Sequence, residues 1–184
     1  TTRAIQACCS WAPGTRPAGA KAQRSDGLLG GRFQQPAPLD LRVNTLKTNR
    51  EAVLARLAAD DIPAIPGPLS PLAIRLREKP ALAKYPLFLE GAFEVQDEGS
   101  QLLGYLLEPK RGEMVVDFCA GAGGKTLLLG ALMKNTGRLY AFDVSDKRLA
   151  NLKPRLARSG LSNVHPARIE HERFVDQERS ADIE

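Results

Sequence analysis

Cysteine is scarce in this chain: three occur in 184 residues, Cys8, Cys9 and Cys119. An odd count with two of them adjacent makes no disulfide framework, and a reducing, cytoplasmic setting is the expectation. No CxxC pair is present and there are only two histidines, so no structural zinc site is expected. Long apolar runs are also missing. No stretch reaches the length of about eighteen residues that a membrane-spanning helix needs. The first residues lack the apolar core of a secretory signal. With 43% apolar residues the chain can still bury a sizeable core.

Charge is present but uneven. Residues 1–80 carry twelve Lys/Arg against six Asp/Glu, residues 81–115 three against six, and the remainder eleven against nine. A basic segment beside a near-neutral one suits a polyanionic partner such as RNA, with a solvated basic surface as the plainer alternative.

The pattern divides the chain into three parts. Residues 1–38 are rich in Gly, Pro, Ala, Gln and Arg without apolar periodicity, and read as a poorly structured tail. Residues 39–86 read as a small basic α+β module. In it, Leu39–Asn44 is a strand, and Asn49 caps a helix carrying Val53, Leu54, Leu57, Ala58 and Ile62. Pro63, Pro66 and Pro68 stop that helix, and a second strand runs over Leu72–Leu76. Residues 87–184 begin with an extended or turn-like stretch to Val95, followed by a helix capped by Asp97. The apolar run Met114–Phe118, a Gly-rich turn, a helix over Lys125–Lys134, a strand over Arg138–Phe142, a helix over Asp146–Arg158 and a strand over Asn163–Arg168 follow. Strand, helix, strand, helix, strand at this spacing predicts a doubly wound α/β fold.

The chemistry concentrates in Asp117-Phe-Cys-Ala-Gly-Ala-Gly-Gly-Lys-Thr126. This run leaves a buried strand and opens a helix, where backbone N–H groups lack intrahelical partners and ligands bind in open α/β sheets. A phosphate-binding loop would need glycine where Cys119 stands, although Gly124-Lys125-Thr126 fits it. A dinucleotide fingerprint would need glycine where Thr126 stands. A tight turn with no ligand is the third alternative. Asp143, closing the next strand, places a carboxylate where both ribose hydroxyls of an adenosine could donate to it. Asp117, just ahead of the turn, would repel a pyrophosphate but suits the positive sulfonium and amino groups of S-adenosylmethionine.

The run Cys119-Ala-Gly-Ala-Gly-Gly-Lys-Thr126 resembles the CAAPGGKT motif of the Sun/Fmu (NOL1/NOP2/Sun) family of RNA cytosine-5 methyltransferases. Val95-Gln-Asp-Glu-Gly-Ser-Gln101 resembles that family's VQDEASQ segment. Leu41-Arg-Val-Asn-Thr-Leu-Lys47 resembles its RxNTLK stretch, and Phe142-Asp143 with Lys147-Arg148-Leu149 its second-strand acid and the Arg-Leu that follows. The likeness runs from about Pro38 to His171; the last dozen residues do not share it. It implies a Rossmann-like S-adenosylmethionine-dependent methyltransferase sheet, incomplete here, preceded by the α+β RNA-binding module. Cys119, Ala120, Gly121, Ala122, Gly123, Gly124 and Lys125 would wrap the methionine part of the cofactor and Asp143 would hold its ribose. Arg148 would pair near the pocket with an acid or with the cofactor, and Gln96–Gln101 would support the loop. Ribosomal RNA is the implied substrate, with transfer RNA second.

Departures from the family pattern carry their own expectations. Ala122 replaces the usual proline and Gly121 the second alanine, so the turn is expected to be looser, with every N–H available. Where the family places an acid near the adenine, the chain reads Arg168-Ile-Glu170-His171, leaving Glu170 as the candidate. The reaction needs a cysteine thiolate that adds to the pyrimidine ring. The family's two motifs of this kind, PCSG and TCS, do not occur, and the nucleophile is expected beyond Glu184. No catalytic residue is therefore assigned. A SAM- or RNA-binding fragment without catalysis, or a nucleotide binder of the phosphate-loop type, remain alternatives.

Overall fold

The computed structural model describes residues 2–5 and 38–170. Its strands are β1 (Thr2–Ile5), β2 (Leu39–Val43), β3 (Ala64–Pro66), β4 (Ala73–Leu76), β5 (Phe93–Val95), β6 (Met114–Asp117), β7 (Arg138–Asp143) and β8 (Val164–Arg168). The α-helices are α1 (Arg50–Ala59), α2 (Pro86–Leu89), α3 (Glu98–Leu106), α4 (Gly124–Leu132) and α5 (Asp146–Ser159). They build two four-stranded sheets.

The first sheet has the order β3-β4-β2-β5 with every neighbouring pair antiparallel. Its core unites Leu41 and Val43 of β2 with Val53 and Leu57 of α1, Ile74 and Leu76 of β4, and Phe93 of β5. Helix α1 starts where expected, because the Asn49 side chain accepts the Ala52 N–H at 2.8 Å. Strand β2 is buried on both faces. Its alternate residues Asp40 and Arg42 are charged and meet α3 and the segment leading into it. Asp40 is held by both nitrogens of a forked Arg75 contact at 2.8 and 3.0 Å, which accounts for a carboxylate at such a depth.

The second sheet is parallel throughout, in the order β1-β6-β7-β8. Helix α4 connects β6 to β7 and α5 connects β7 to β8, as the doubly wound reading expected. Its core joins Val115, Leu139, Ala141 and Val164 of the strands to Leu127, Leu129, Leu149 and Leu152 of the helices. Helix α3 lies tight against α4 at Gly104, where an added Cβ would stand 2.4 Å from Leu128 Cδ2. From β6 the chain winds outward through β7 and β8, while β1 occupies the other edge of β6. The turn after Asp117 thus opens at the carboxyl end of β6, the side of the sheet on which open α/β folds bind ligands.

Four points differ from the sequence reading. Thr2–Ile5, placed there in a poorly structured tail, forms β1 along the edge of β6. A four-residue strand carries too little periodicity to be read, and only its pairing partner defines it. Residues 6–37, with Trp11, Cys8 and Cys9, lie outside the described residues, as do residues 171–184. Phe93–Val95 lies beyond the expected module boundary at residue 86, yet pairs with β2 and so belongs to the first sheet. Pro66, read as a helix stop, also ends β3, an edge strand where its missing N–H costs no ladder bond. Within the stretch to Val95, read as extended or turn-like, Pro86–Leu89 makes a helical turn.

The two sheets are joined through the C-terminal half of α5. Glu94 of β5 accepts from Arg155 Nε at 2.9 Å and from Arg158 Nε at 2.9 Å. The Asn44 side chain, just past β2, donates to Gly91 O at 3.0 Å and to Ser159 O at 2.9 Å. Arg158 also covers the Phe88 ring at 4.3 Å from its centroid. Gly91, with φ 73°, lets this contact close; an added Cβ there would be 2.0 Å from Arg158 O.

Candidate functional site

The Gly-rich turn is built by two carboxylates at the ends of adjacent strands. Asp117 ends β6 and is fully buried. Its Oδ2 accepts the Thr126 hydroxyl at 2.8 Å and its Oδ1 the Cys119 N–H at 3.3 Å. Burial raises its pKa above the usual carboxylate value, against the pull of Thr126, the Cys119 amide and nearby Lys125. Asp143 ends β7 and is 2% exposed. Its Oδ2 accepts Gly121 N–H and its Oδ1 Ser145 N–H, each at 2.9 Å.

The turn between them closes on itself. Gly123 N–H donates to Ala120 O at 2.8 Å, and Ala120 N–H to Phe142 O at 2.9 Å. Gly121 (φ 55°) and Gly123 (φ 85°) both take left-handed backbone, and Gly123 is the N-cap of α4. A side chain at Gly123 would also collide with Leu152, since an added Cβ lies 2.1 Å from its Cδ1. The expectation that every N–H of the turn is available therefore does not hold: those of Cys119, Ala120, Gly121 and Gly123 are engaged inside the protein. The two acids take the Cys119 and Gly121 amides, and backbone carbonyls of Phe142 and Ala120 take the other two. Each Asp143 oxygen still carries a further acceptor site, because an ionised carboxylate offers about four.

The remaining candidate residues fall around this turn. Arg148 Nη1 stands 3.6 Å from Asp143 Oδ1, a long contact from a largely exposed arginine to a buried carboxylate. Glu170 Oε1 is 3.4 Å from Arg168 Nη2, and Arg168 also reaches Asp146 at 3.0 Å. Val144, Arg168, Ile169 and Glu170 line an open cavity of about 430 Å³ at the carboxyl ends of β7 and β8. Glu170 thus lies two strand ends away from the Gly turn, across β7, and lines the same cavity as Val144, the residue that follows Asp143. Lys125 sits in the first turn of α4, partly buried.

The segment expected to support the turn divides in its task. Gln96 faces it, with Nε2 at 3.5 Å from where a Gly124 Cβ would be, and its Oε1 accepts from buried Arg42 Nε at 2.5 Å. Burial lowers the Arg42 pKa to about 10, against the opposing charge of Glu94. Asp97 caps α3 through Ser100 N–H at 3.1 Å. Glu98 and Gln101 turn to the first sheet instead, where Glu98 accepts from Leu69 and Ser70 and Gln101 donates to Leu41 O. Two residues escaped the sequence reading. Thr126 anchors Asp117, and Arg155 donates to Ala122 O at 2.8 Å. Nothing in the spacing marks Arg155, which reaches the turn from α5, one helical turn beyond Leu152. Among the described residues no three His, Cys, Asp or Glu side chains converge as metal ligands, and no helix is long and apolar enough to cross a membrane.

Comparison with known proteins gives this arrangement a family. Residues 104–180 match the family described as 16S rRNA methyltransferase RsmB/F. Residues 32–83 match the RsmF/B-like ferredoxin-like domain. The chain belongs to this methyltransferase family. The match passes His171, so the likeness extends further than the motifs alone had indicated. A relative from Bacillus subtilis, named a probable ribosomal RNA small subunit methyltransferase B, is 35% identical over 71% of this chain and 29% of its own length. The mouse (Mus musculus) protein named 28S rRNA (cytosine-C(5))-methyltransferase is 37% identical over 68% of this chain and 31% of its own length. The solved structure of a methyltransferase homologue from Pyrococcus horikoshii superposes with a TM-score of 0.69 at 35% identity, covering 74% of this chain and 45% of that one. The chain spans about 30% of the length of the curated relatives it matches.

Proposed function

We propose that this chain carries the cofactor-binding portion of an S-adenosylmethionine-dependent RNA cytosine-5 methyltransferase acting on ribosomal RNA. The observation that carries the reading is the pair of buried acids, Asp117 and Asp143, at adjacent strand ends on either side of a turn whose Gly121 and Gly123 take positive φ. A polyphosphate would meet two carboxylates here, whereas a cofactor with a cationic sulfur and a ribose diol meets compatible partners. Thr126 weighs against a phosphate loop as well. Its hydroxyl is given to Asp117 and is not presented to a metal-bound phosphate.

In this reading Cys119 to Lys125 wrap the methionine part of the cofactor, and Asp143 takes the ribose hydroxyls on the acceptor sites left by Gly121 and Ser145. The cavity lined by Val144 and Glu170 receives the base, and Arg148 screens Asp143. When bound, the cofactor supplies a methyl group activated by its positive sulfur. Cys119 belongs to the turn and is not the nucleophile. The first sheet and its basic residues hold the RNA, with ribosomal RNA favoured by the names of the relatives and transfer RNA second.

Calorimetric titration of S-adenosylmethionine into the chain, with ATP and Mg²⁺ as control, tests the proposal. Saturable binding of the first ligand alone supports it. Binding of ATP alone, or of neither ligand by a folded chain, overturns it.

A further inference from the structure

The turn that replaces the family's proline with Ala122 is flanked by two glycines in left-handed conformation, and little in its own sequence holds the Ala122 carbonyl in place. One side chain from outside the turn does. Arg155, in the C-terminal half of α5, donates from Nη1 to Ala122 O at 2.8 Å. Its Nε is 2.9 Å from Glu94 Oε2 and its Nη2 is also 2.9 Å from that oxygen, so the guanidinium is fixed on one side by a carboxylate of the first sheet. The side chain is only 19% exposed, which keeps the contact largely out of water. Arg158 also grips Glu94, its Nη2 2.8 Å from Oε1 and 2.9 Å from Oε2, yet its side chain otherwise meets Phe88, away from the turn. The two arginines thus share one carboxylate, and only Arg155 extends the link to the Gly turn.

We propose that Arg155 is a positioning residue for the cofactor turn, holding the Ala122 carbonyl in the conformation that the missing proline would otherwise favour and referring it, through Glu94, to the sheet of the small module. A planar guanidinium can bridge a carboxylate and a carbonyl at once; an ammonium cannot reproduce that fork. The role does not require the side chain to touch the cofactor.

Hydrogen–deuterium exchange over peptides spanning residues 119–125 tests this on the whole chain, with Arg155→Met, Arg155→Lys and Arg158→Met compared at matched fractions folded. Arg158→Met is the control, because it removes at least as much of the Glu94 contact without touching the turn. The expected result is exchange of the turn amides about tenfold faster in both Arg155 variants and near the unsubstituted rate in Arg158→Met, the loss of one charge-assisted hydrogen bond. Affinity for S-adenosylmethionine should fall about tenfold in the same two variants and hold in the control. Equal exchange in the Arg155 and Arg158 variants, or no change in either, overturns the proposal. Should Arg155→Met not fold, Arg155→Lys decides alone. The affinity measurement rests on the cofactor reading, whereas the exchange measurement does not. A chain that binds no S-adenosylmethionine but shows the exchange difference retains the positioning role and loses the cofactor.

Discussion

The Gly121 amide donates to Asp143 Oδ2 at 2.9 Å across 22 residues of sequence, so the end of one strand fixes the shape of the turn that leaves its neighbour. The bond is charge-assisted and its acceptor is buried, circumstances that strengthen a hydrogen bond. Asp143→Ala should therefore loosen the turn and remove the ribose acceptor together. We expect S-adenosylmethionine affinity to fall by about ten- to a hundredfold, from about 1.5–3 kcal/mol for a bond to a charged group. Titration calorimetry on a variant whose circular dichroism matches the parent checks this, and unchanged affinity would count against Asp143 as a cofactor ligand.

Gly123 should not tolerate a methyl group. Left-handed backbone and the 2.1 Å approach to Leu152 Cδ1 act at the same atom. We expect Gly123→Ala to cost about 2–4 kcal/mol in chemical denaturation, strain and overpacking combined. Gly121, also at positive φ but with open space around its Cβ position, should lose less on the same substitution.

Asp117 makes a pH-dependent contribution of unusual sign. Its pKa is raised by burial, so the folded chain binds this proton more tightly than the unfolded chain does. Stability contributed by the group is therefore present at low pH and lost as pH rises from the ordinary carboxylate value through the raised one. Asp117→Asn keeps an acceptor for Thr126 and removes the charge. Its stability relative to the parent should improve between pH 4 and pH 7, read as the difference between two urea-denaturation series. A difference that is flat with pH would show that the carboxylate is not penalised by its burial.

Glu94 holds two guanidinium groups and is itself buried. Glu94→Gln leaves both arginines facing each other without a counter-charge, and removing one partner of such a cluster costs about 3 kcal/mol or more. We expect a lower denaturation midpoint and weakened contact between α5 and the first sheet. Adding Arg158→Met should return part of the loss by relieving the uncompensated charge, a double-substitution measurement that distinguishes charge from packing.

What the sequence made legible was local. Asn49 and Asp97 announce their helices because a cap is a contact three residues long. The run from Met114 through the glycines to Thr126 reads as strand, turn and helix, since apolar content, glycine and an acid at the strand end all point the same way. The acids at 117 and 143 were found on that logic, but their working partners were not. Whether a carboxylate meets solvent or gathers backbone amides depends on how closely two strand ends approach, which no spacing records. Asp40, Arg42 and Glu94 look like surface charges in the alternating pattern, yet they lie buried between the first sheet and the elements of the second. Arg155 was illegible for the same reason, since its partners are 33 and 61 residues away. Strands β1 and β5 depend wholly on pairing across such distances.

Helix α5 touches both halves of the molecule: Arg148 stands beside Asp143, and Arg158, ten residues further on, is bolted to Glu94. At about 1.5 Å per residue these contacts lie about 15 Å apart along the helix, with Pro154 inside the span. The helix thus works as a caliper whose jaw spacing is set by the number of residues between them. Inserting or deleting one residue between them would swing one jaw by about 100° relative to the other. The helix's length therefore sets how the cofactor turn and the first sheet are spaced, alongside the contacts its side chains make at either end.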